Sequence, residues 1–159
     1  MAPENKWCQI MKSAHSWILV LTTMFAVTLI AVAQDNKPTA SVLTVMTETV
    51  TPATNTIWGI EDPQTDEEWQ VFIDAAADLI DASEQIKAGG SGPNDAKWAM
   101  NPEWRRFADI LIESGKEIQA AARNKDVDTL MNVSNDKMYP PCEECHIKFH
   151  PAMQQQESN

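Results

Sequence analysis

Cysteine is scarce in this chain: three residues in 159, at positions 8, 142 and 145. So few thiols cannot make a disulfide scaffold, and a chain of this length builds a core without one. A bridge between cysteines three positions apart would also close too small a loop to add much stability. Positive charge is scarce as well, 12 Lys and Arg against 23 Asp and Glu, for a formal net charge of −11. That balance excludes nucleic acid as a partner, because phosphate would be repelled. It fits either a solvated, solubilising surface or one that steers a basic partner, and charge alone does not choose between them. No stretch after the first third alternates like a strand, no internal repeat is visible, and no acid-base pair or activated nucleophile stands out. The expectation is one all-α domain that is not an enzyme.

The first third differs from the rest. "MAPENKWCQIMKSAHS" carries two lysines and one glutamate, and "WILVLTTMFAVTLIAVA", Trp17 to Ala33, carries no charge. The run closes on Ala31-Val32-Ala33 and meets polar "QDNKP" at once. A basic start, an apolar centre and a small-residue end read as a secretory signal peptide over 1–33, cleaved after Ala33. The alternative is an uncleaved anchor, since the run is just long enough to approach a bilayer's thickness. No cysteine follows it at the cleavage point, so a lipid anchor there is not supported. The remainder, 34–159, is expected outside the cytoplasm, in the periplasm.

Four segments of that remainder have helical periodicity. The first covers about 40–58, with Val42, Leu43, Met46, Val50, Ala53 and Ile57 as its stripe and a kink or break expected at Pro52. The second opens on the capping box Thr65/Glu68 and carries Trp69, Phe72, Ile73, Ala76, Leu79, Ile80 and Ile86, interrupted only by Ser83, until "GG" at 89–90. A polar loop, "GGSGPNDAKWAMNP", separates it from the third. That one starts with Asn101 as N-cap and Pro102 at the first helical position, and buries Trp104, Phe107, Ala108, Leu111, Ile112, Gly115, Ile118 and Ala122. The fourth starts near Asp126 with Leu130, Met131 and Val133; "YPP" at 139–141 is expected to stop it, with Pro141 starting a fresh turn. Four such helices with short connections predict an antiparallel four-helix bundle.

The fresh turn carries "CEECH", a C-x-x-C-H sequence. This is the attachment signature of a c-type haem. On a helix, i and i+3 share a face and i+4 lies beside them, so Cys142 and Cys145 reach two vinyl groups of one porphyrin while His146 meets the iron. One motif implies one covalent haem c, held in a motif at 142–146. Two other chemistries compete. A redox-active thiol pair belongs in a strand-helix context, and no strand is read here. Zinc needs four ligands, and Cys142, Cys145, His146 and His150 on one turn would form a cramped tetrahedron. For the second axial position of an iron, His150 lies on the same side as His146 and reads as a surface or propionate-facing residue. Met46, on the stripe of the first helix, is the candidate from the opposite side, with plain packing as its alternative. Met100, Met131, Met138 and Met153 read as core.

"CEECHIKF" closing a four-helix chain resembles the class II c-type cytochromes, the cytochrome c-prime group. Phe149 matches the aromatic that this group often has three positions after the histidine, while His150 stands where a basic residue is common. "VMTETVTPATNTIWG" also resembles the first helix of an exported subgroup. The unbroken last helix of the family is a point of departure, given "YPP". The resemblance implies one of two behaviours. A methionine from the first helix, here Met46, gives a six-coordinate haem that passes electrons to and from a partner protein with a basic docking surface. An open sixth position gives a haem that binds nitric oxide or another small gas. It also permits a homodimer through the first two helices.

Overall fold

The structure, a computed structural model, describes residues 40–59, 61 and 63–150. The expected leader and Met153 lie outside the described residues. Those described are helical, without strands. Helix α1 (42–58) is built from an α-helical start Val42–Val45, a π-helical turn Met46–Val50 and an α-helical end Thr51–Trp58. Helices α2 (Asp66–Ala88), α3 (Asp95–Ala99) and α4 (Pro102–Arg123) follow. Helix α5 (127–149) comprises Val127–Asn132, a π-helical turn Val133–Met138 and Tyr139–Phe149. Among the described residues no helix is long and apolar enough to cross a membrane.

Local chemistry sets the starts of these helices. Thr65 accepts from the Glu68 amide while Glu68 accepts from the Thr65 amide, 2.9 Å away, closing the capping box on α2. Asn101 accepts from the Glu103 amide at 2.8 Å and Asp126 from the Thr129 amide at 3.0 Å. Gly89 ends α2 at φ +84°, a conformation that needs no Cβ.

The prolines do not break the chain, which corrects two expectations. Pro52 causes no interruption of α1, and "YPP" does not stop α5. Each is preceded by a π turn, in which the Thr51 amide bonds to the Met46 carbonyl and the Tyr139 amide to the Ser134 carbonyl. A proline ring collides with the carbonyl four residues back and lacks an amide to give it. The wider turn moves that carbonyl aside and redistributes the bonds. In α1, threonine hydroxyls take up backbone acceptors: Thr51 Oγ1 donates to the Met46 carbonyl and Thr54 Oγ1 to the Val50 carbonyl, each at 2.8 Å.

Three long helices run antiparallel in succession. Trp104 Nε1 donates to the Ile86 carbonyl at 2.8 Å and Gln119 Nε2 to the Ile73 carbonyl at 3.3 Å, so α4 descends as α2 rises. Gly115 lets the pair close, since a Cβ there would stand 2.7 Å from Ile80 Cγ1. Lys148 pairs with Glu103 at 2.5 Å and Lys137 with Glu117, which sets α5 antiparallel to α4. Helix α1 packs along α2, and the Ser91 amide reaches the Ala40 carbonyl at 3.1 Å, so α1 begins where α2 ends. One end of the molecule therefore gathers the start of α1, the end of α2, all of α3, the start of α4 and the end of α5. Of the long-helix neighbours, α1 and α5 are the least closely packed, and the Trp58 and Tyr139 rings meet across them at 6.2 Å.

The core is one apolar cluster that includes Ile57, Leu79, Phe107, Ile118, Leu130 and Met138. Each such side chain, withdrawn from water, contributes roughly 1.5–3 kcal/mol. Leu43, placed on the α1 stripe by periodicity, instead faces solvent with 68% of its surface exposed. It sits one position past Val42, about 100° around the helix.

Candidate functional site

Phe149 fixes the rotation of the last helical segment. It is buried against Trp104 (ring centroids 5.2 Å), Trp98 (6.3 Å) and Phe107 (6.4 Å), and the two tryptophans stack at 5.2 Å. Cys145 is four residues before Phe149 and Cys142 seven, so both thiols take the same core-facing side. Both are half-buried against the apolar cluster, and both are free. The Cys142 thiol donates to the Met138 carbonyl at 3.1 Å. His146, next in the chain, falls on the exposed flank with its ring 5.9 Å from that of His150. On the outer side of α5, Glu144 meets Arg106 at 3.5 Å and Lys148 meets Glu103, tying the segment to α4.

Burial pushes the Cys142 thiol from 9.0 up to about 11 and the Cys145 thiol up to about 12, the latter helped by the neighbouring thiol. Reactive redox cysteines have the opposite setting, a lowered pKa at a helix start or beside a cation. The His146 ring is shifted down from 6.5, first by the atoms that crowd it and then by His150. It is therefore neutral near pH 7, with a nitrogen lone pair free to bind a metal.

The thiol shift has a measurable consequence. In the haem-free folded chain, iodoacetamide at about pH 8 is expected to label Cys142 about a hundredfold more slowly than in the urea-unfolded chain, because the thiolate fraction drops by that factor. Equal rates in the two states would contradict the packing of these thiols. Stability follows the same sign. A folded-state pKa above the unfolded one favours folding below pH 9.0, and that contribution is lost as pH climbs toward 11 and 12.

Met46 is half-buried, packs against the same apolar cluster and opens the π turn of α1. It lies one turn above Val42, hence at the gathered end of the molecule where α5 terminates. The other methionines separate clearly. Met100 is 77% exposed, contrary to the expectation of a core residue, and Met138 is fully buried on the same helix as the thiols. Met131 is half-buried.

Among the described residues, no three His, Cys, Asp or Glu side chains converge as a metal-holding group. Cys142, Cys145, His146 and His150 are not drawn together as such a group. A groove of about 540 Å³ on the outer face of α4, lined by Met100, Pro102, Arg105, Ile110 and Lys137 among others, includes none of Met46, Cys142, Cys145, His146 and His150. Sequence pattern does not single out Asp95, a buried carboxylate in what reads as a polar loop, nor the short helix α3 that it begins. The signal was the density of glycines just before it.

No known protein family matches the sequence, and comparisons with curated proteins and with solved structures give no match.

Proposed function

We propose that this chain is an exported, periplasmic monohaem c-type cytochrome of class II type, an antiparallel four-helix bundle that carries electrons and is not an enzyme. The observation that carries the reading is the placement of Cys142 and Cys145 on one core-facing side of α5 with a neutral imidazole, His146, beside them. The donor set fits the group. The two thiols lie three positions apart on one side of a helix, as attachment to one porphyrin requires, and their raised pKa values are the opposite of what disulfide exchange needs. Met46 supports the pairing of a thioether with the imidazole, because its helix begins at the end where α5 finishes. The loosely packed side between α1 and α5 supports entry of a flat apolar body between these two helices.

Bound there, a haem supplies reversible one-electron chemistry at its iron. The chain's own residues do the rest. Cys142 and Cys145 would anchor the macrocycle covalently, and His146 and Met46 would give its iron an imidazole and a thioether, a pairing that raises the potential. The surrounding apolar cluster excludes water and keeps this geometry fixed. The acidic surface guides a redox partner with a basic docking face, with an on-rate that falls as salt rises.

The test is an absorption spectrum of protein matured with haem-attachment machinery, recorded oxidised, reduced and under carbon monoxide, for wild type and Met46→Ala. Wild type is expected to be low-spin, with a methionine-to-iron band and little carbon monoxide uptake; Met46→Ala loses the band and binds the gas readily. A high-spin wild type that takes up carbon monoxide at once replaces electron transfer with gas binding. A colourless protein with titratable thiols ends the haem reading.

A further inference from the structure

The chain has five glycines, and three of them, Gly89, Gly90 and Gly92, stand together just ahead of Asp95. A Cβ at Gly90 would lie 2.5 Å from Asp95 Oδ2 and 2.6 Å from the Ala40 carbonyl, and one at Gly92 would lie 2.7 Å from Oδ2. Neither position has room for a side chain. The loop is wrapped around one carboxylate that is 3% exposed. Its Oδ2 accepts two backbone amides, from Val42 at 2.8 Å and from Gly92 at 2.8 Å. Alongside, the Ser91 amide bonds to the Ala40 carbonyl at 3.1 Å. No Lys, Arg or His pairs with Asp95 among the described residues.

A buried carboxylate without a cation is an expensive way to close a loop, since charge leaves water and only amide hydrogens compensate it. What it supplies is charge-assisted bonding to the first free amide of α1, stronger than a neutral cap gives. Ser41 Oγ caps the Thr44 amide of α1 at 3.1 Å, and the Val42 amide is left to Asp95. Only four α-helical residues, Val42–Val45, precede its π turn, too few to persist by themselves. Val42, the clamped residue, and Met46 are four apart and share the core-facing side.

We propose that Asp95 is a positioning residue: by clamping the first turn of α1 to the α2–α4 loop, it fixes Met46 toward the last turn of α5. This rests on the functional reading above, in which Met46 is an iron ligand. Without the clamp the first turn of α1 frays and the thioether leaves its place, while the rest of the core keeps its packing.

The experiment uses the full haem-loaded protein in four forms: wild type, Asp95→Ala, Asp95→Asn and, as a control, Thr65→Ala, which removes the cap of α2 at the opposite end. Asp95→Ala is expected to weaken the methionine-to-iron band and raise the carbon monoxide binding rate about tenfold or more, the factor set by loss of a charge-assisted hydrogen bond. Asp95→Asn, which keeps an acceptor oxygen, recovers most of the band. Thr65→Ala leaves it intact. Amide hydrogen exchange provides a readout separate from the iron: Val45 and Met46 exchange faster in Asp95→Ala, while Leu79 and Ile118 do not. A wild-type band that survives Asp95→Ala unchanged overturns this proposal and leaves the functional reading standing, as does equal loss in Thr65→Ala. A wild type without the band overturns both.

Discussion

Polypeptide matured with haem-attachment machinery, then extracted in acid and denatured, is expected to stay red, and Cys142→Ser/Cys145→Ser is expected to come out colourless. The effect is all or nothing because a covalent link survives unfolding, whereas coordination by His146 and Met46 does not. Each single serine variant leaves one attachment and should retain reduced colour. The doubly substituted chain is expected to fold, since serine is close to cysteine in size and both side chains are only half-buried. Its circular dichroism should remain helical, which separates loss of attachment from loss of structure. The decisive measurement is the absorbance of the denatured chain, referred to its tryptophan signal. Colour persisting in the double variant, or never present in wild type, removes the basis of the cytochrome reading.

The second large effect is on stability. Phe149→Ala is expected to destabilise the protein by about 3–5 kcal/mol, the range for removing a packed aromatic from a core. For a domain of this size that is a fall in Tm of about 15 °C. The reason is the cage of Trp98, Trp104 and Phe107 around the ring, which would be left with a void that rigid indoles cannot collapse to fill. The same truncation frees the last turn of α5, so His146, three positions earlier, loses its fixed bearing. Glu103→Ala, by contrast, removes the pair with Lys148 on the same segment and should cost under about 1 kcal/mol, as exposed ion pairs do. Thermal melting followed at the helical signal compares them; a Phe149→Ala shift no larger than that of Glu103→Ala would mean the ring does not hold the segment.

Much of this arrangement is legible in the sequence where the governing chemistry is local. Thr65 with Glu68, Asn101 with Pro102, and Asp126 each announce a helix start because a side chain caps an amide two or three residues away. The stripes of α2 and α4 follow because one period governs more than twenty residues. C-x-x-C-H is readable for the same reason: three side chains on one turn have their relation set by the helix itself. What escapes is set by distant partners. Asp95 lies among Gly, Ser and Asn and reads as solvent-facing, and its burial comes from Ala40 and Val42, more than fifty positions away. The prolines mislead because helix-breaking rules assume the α spacing, while Met46–Val50 and Val133–Met138 adopt a wider one. Pattern sets Met46 apart by its place on the stripe of the first helix but misplaces Met100 in the core, because its exposure is decided by packing around α3 and α4 and not by period.

The π turn at Val133–Met138 also bears on which insertions and deletions the chain can accept. Such a turn is equivalent to one residue beyond the α-helical count. Deleting one residue there would let the segment relax to ordinary α-helix and leave everything downstream on its bearing, because the wider turn holds the extra residue locally. A second deletion would find no wide turn to absorb it and would swing the sulfurs and the imidazole by about 100°, with every letter of "CEECH" intact. A lineage descended from this protein could thus lose one codon just upstream of the motif without harm, and lose the motif's purpose with the next.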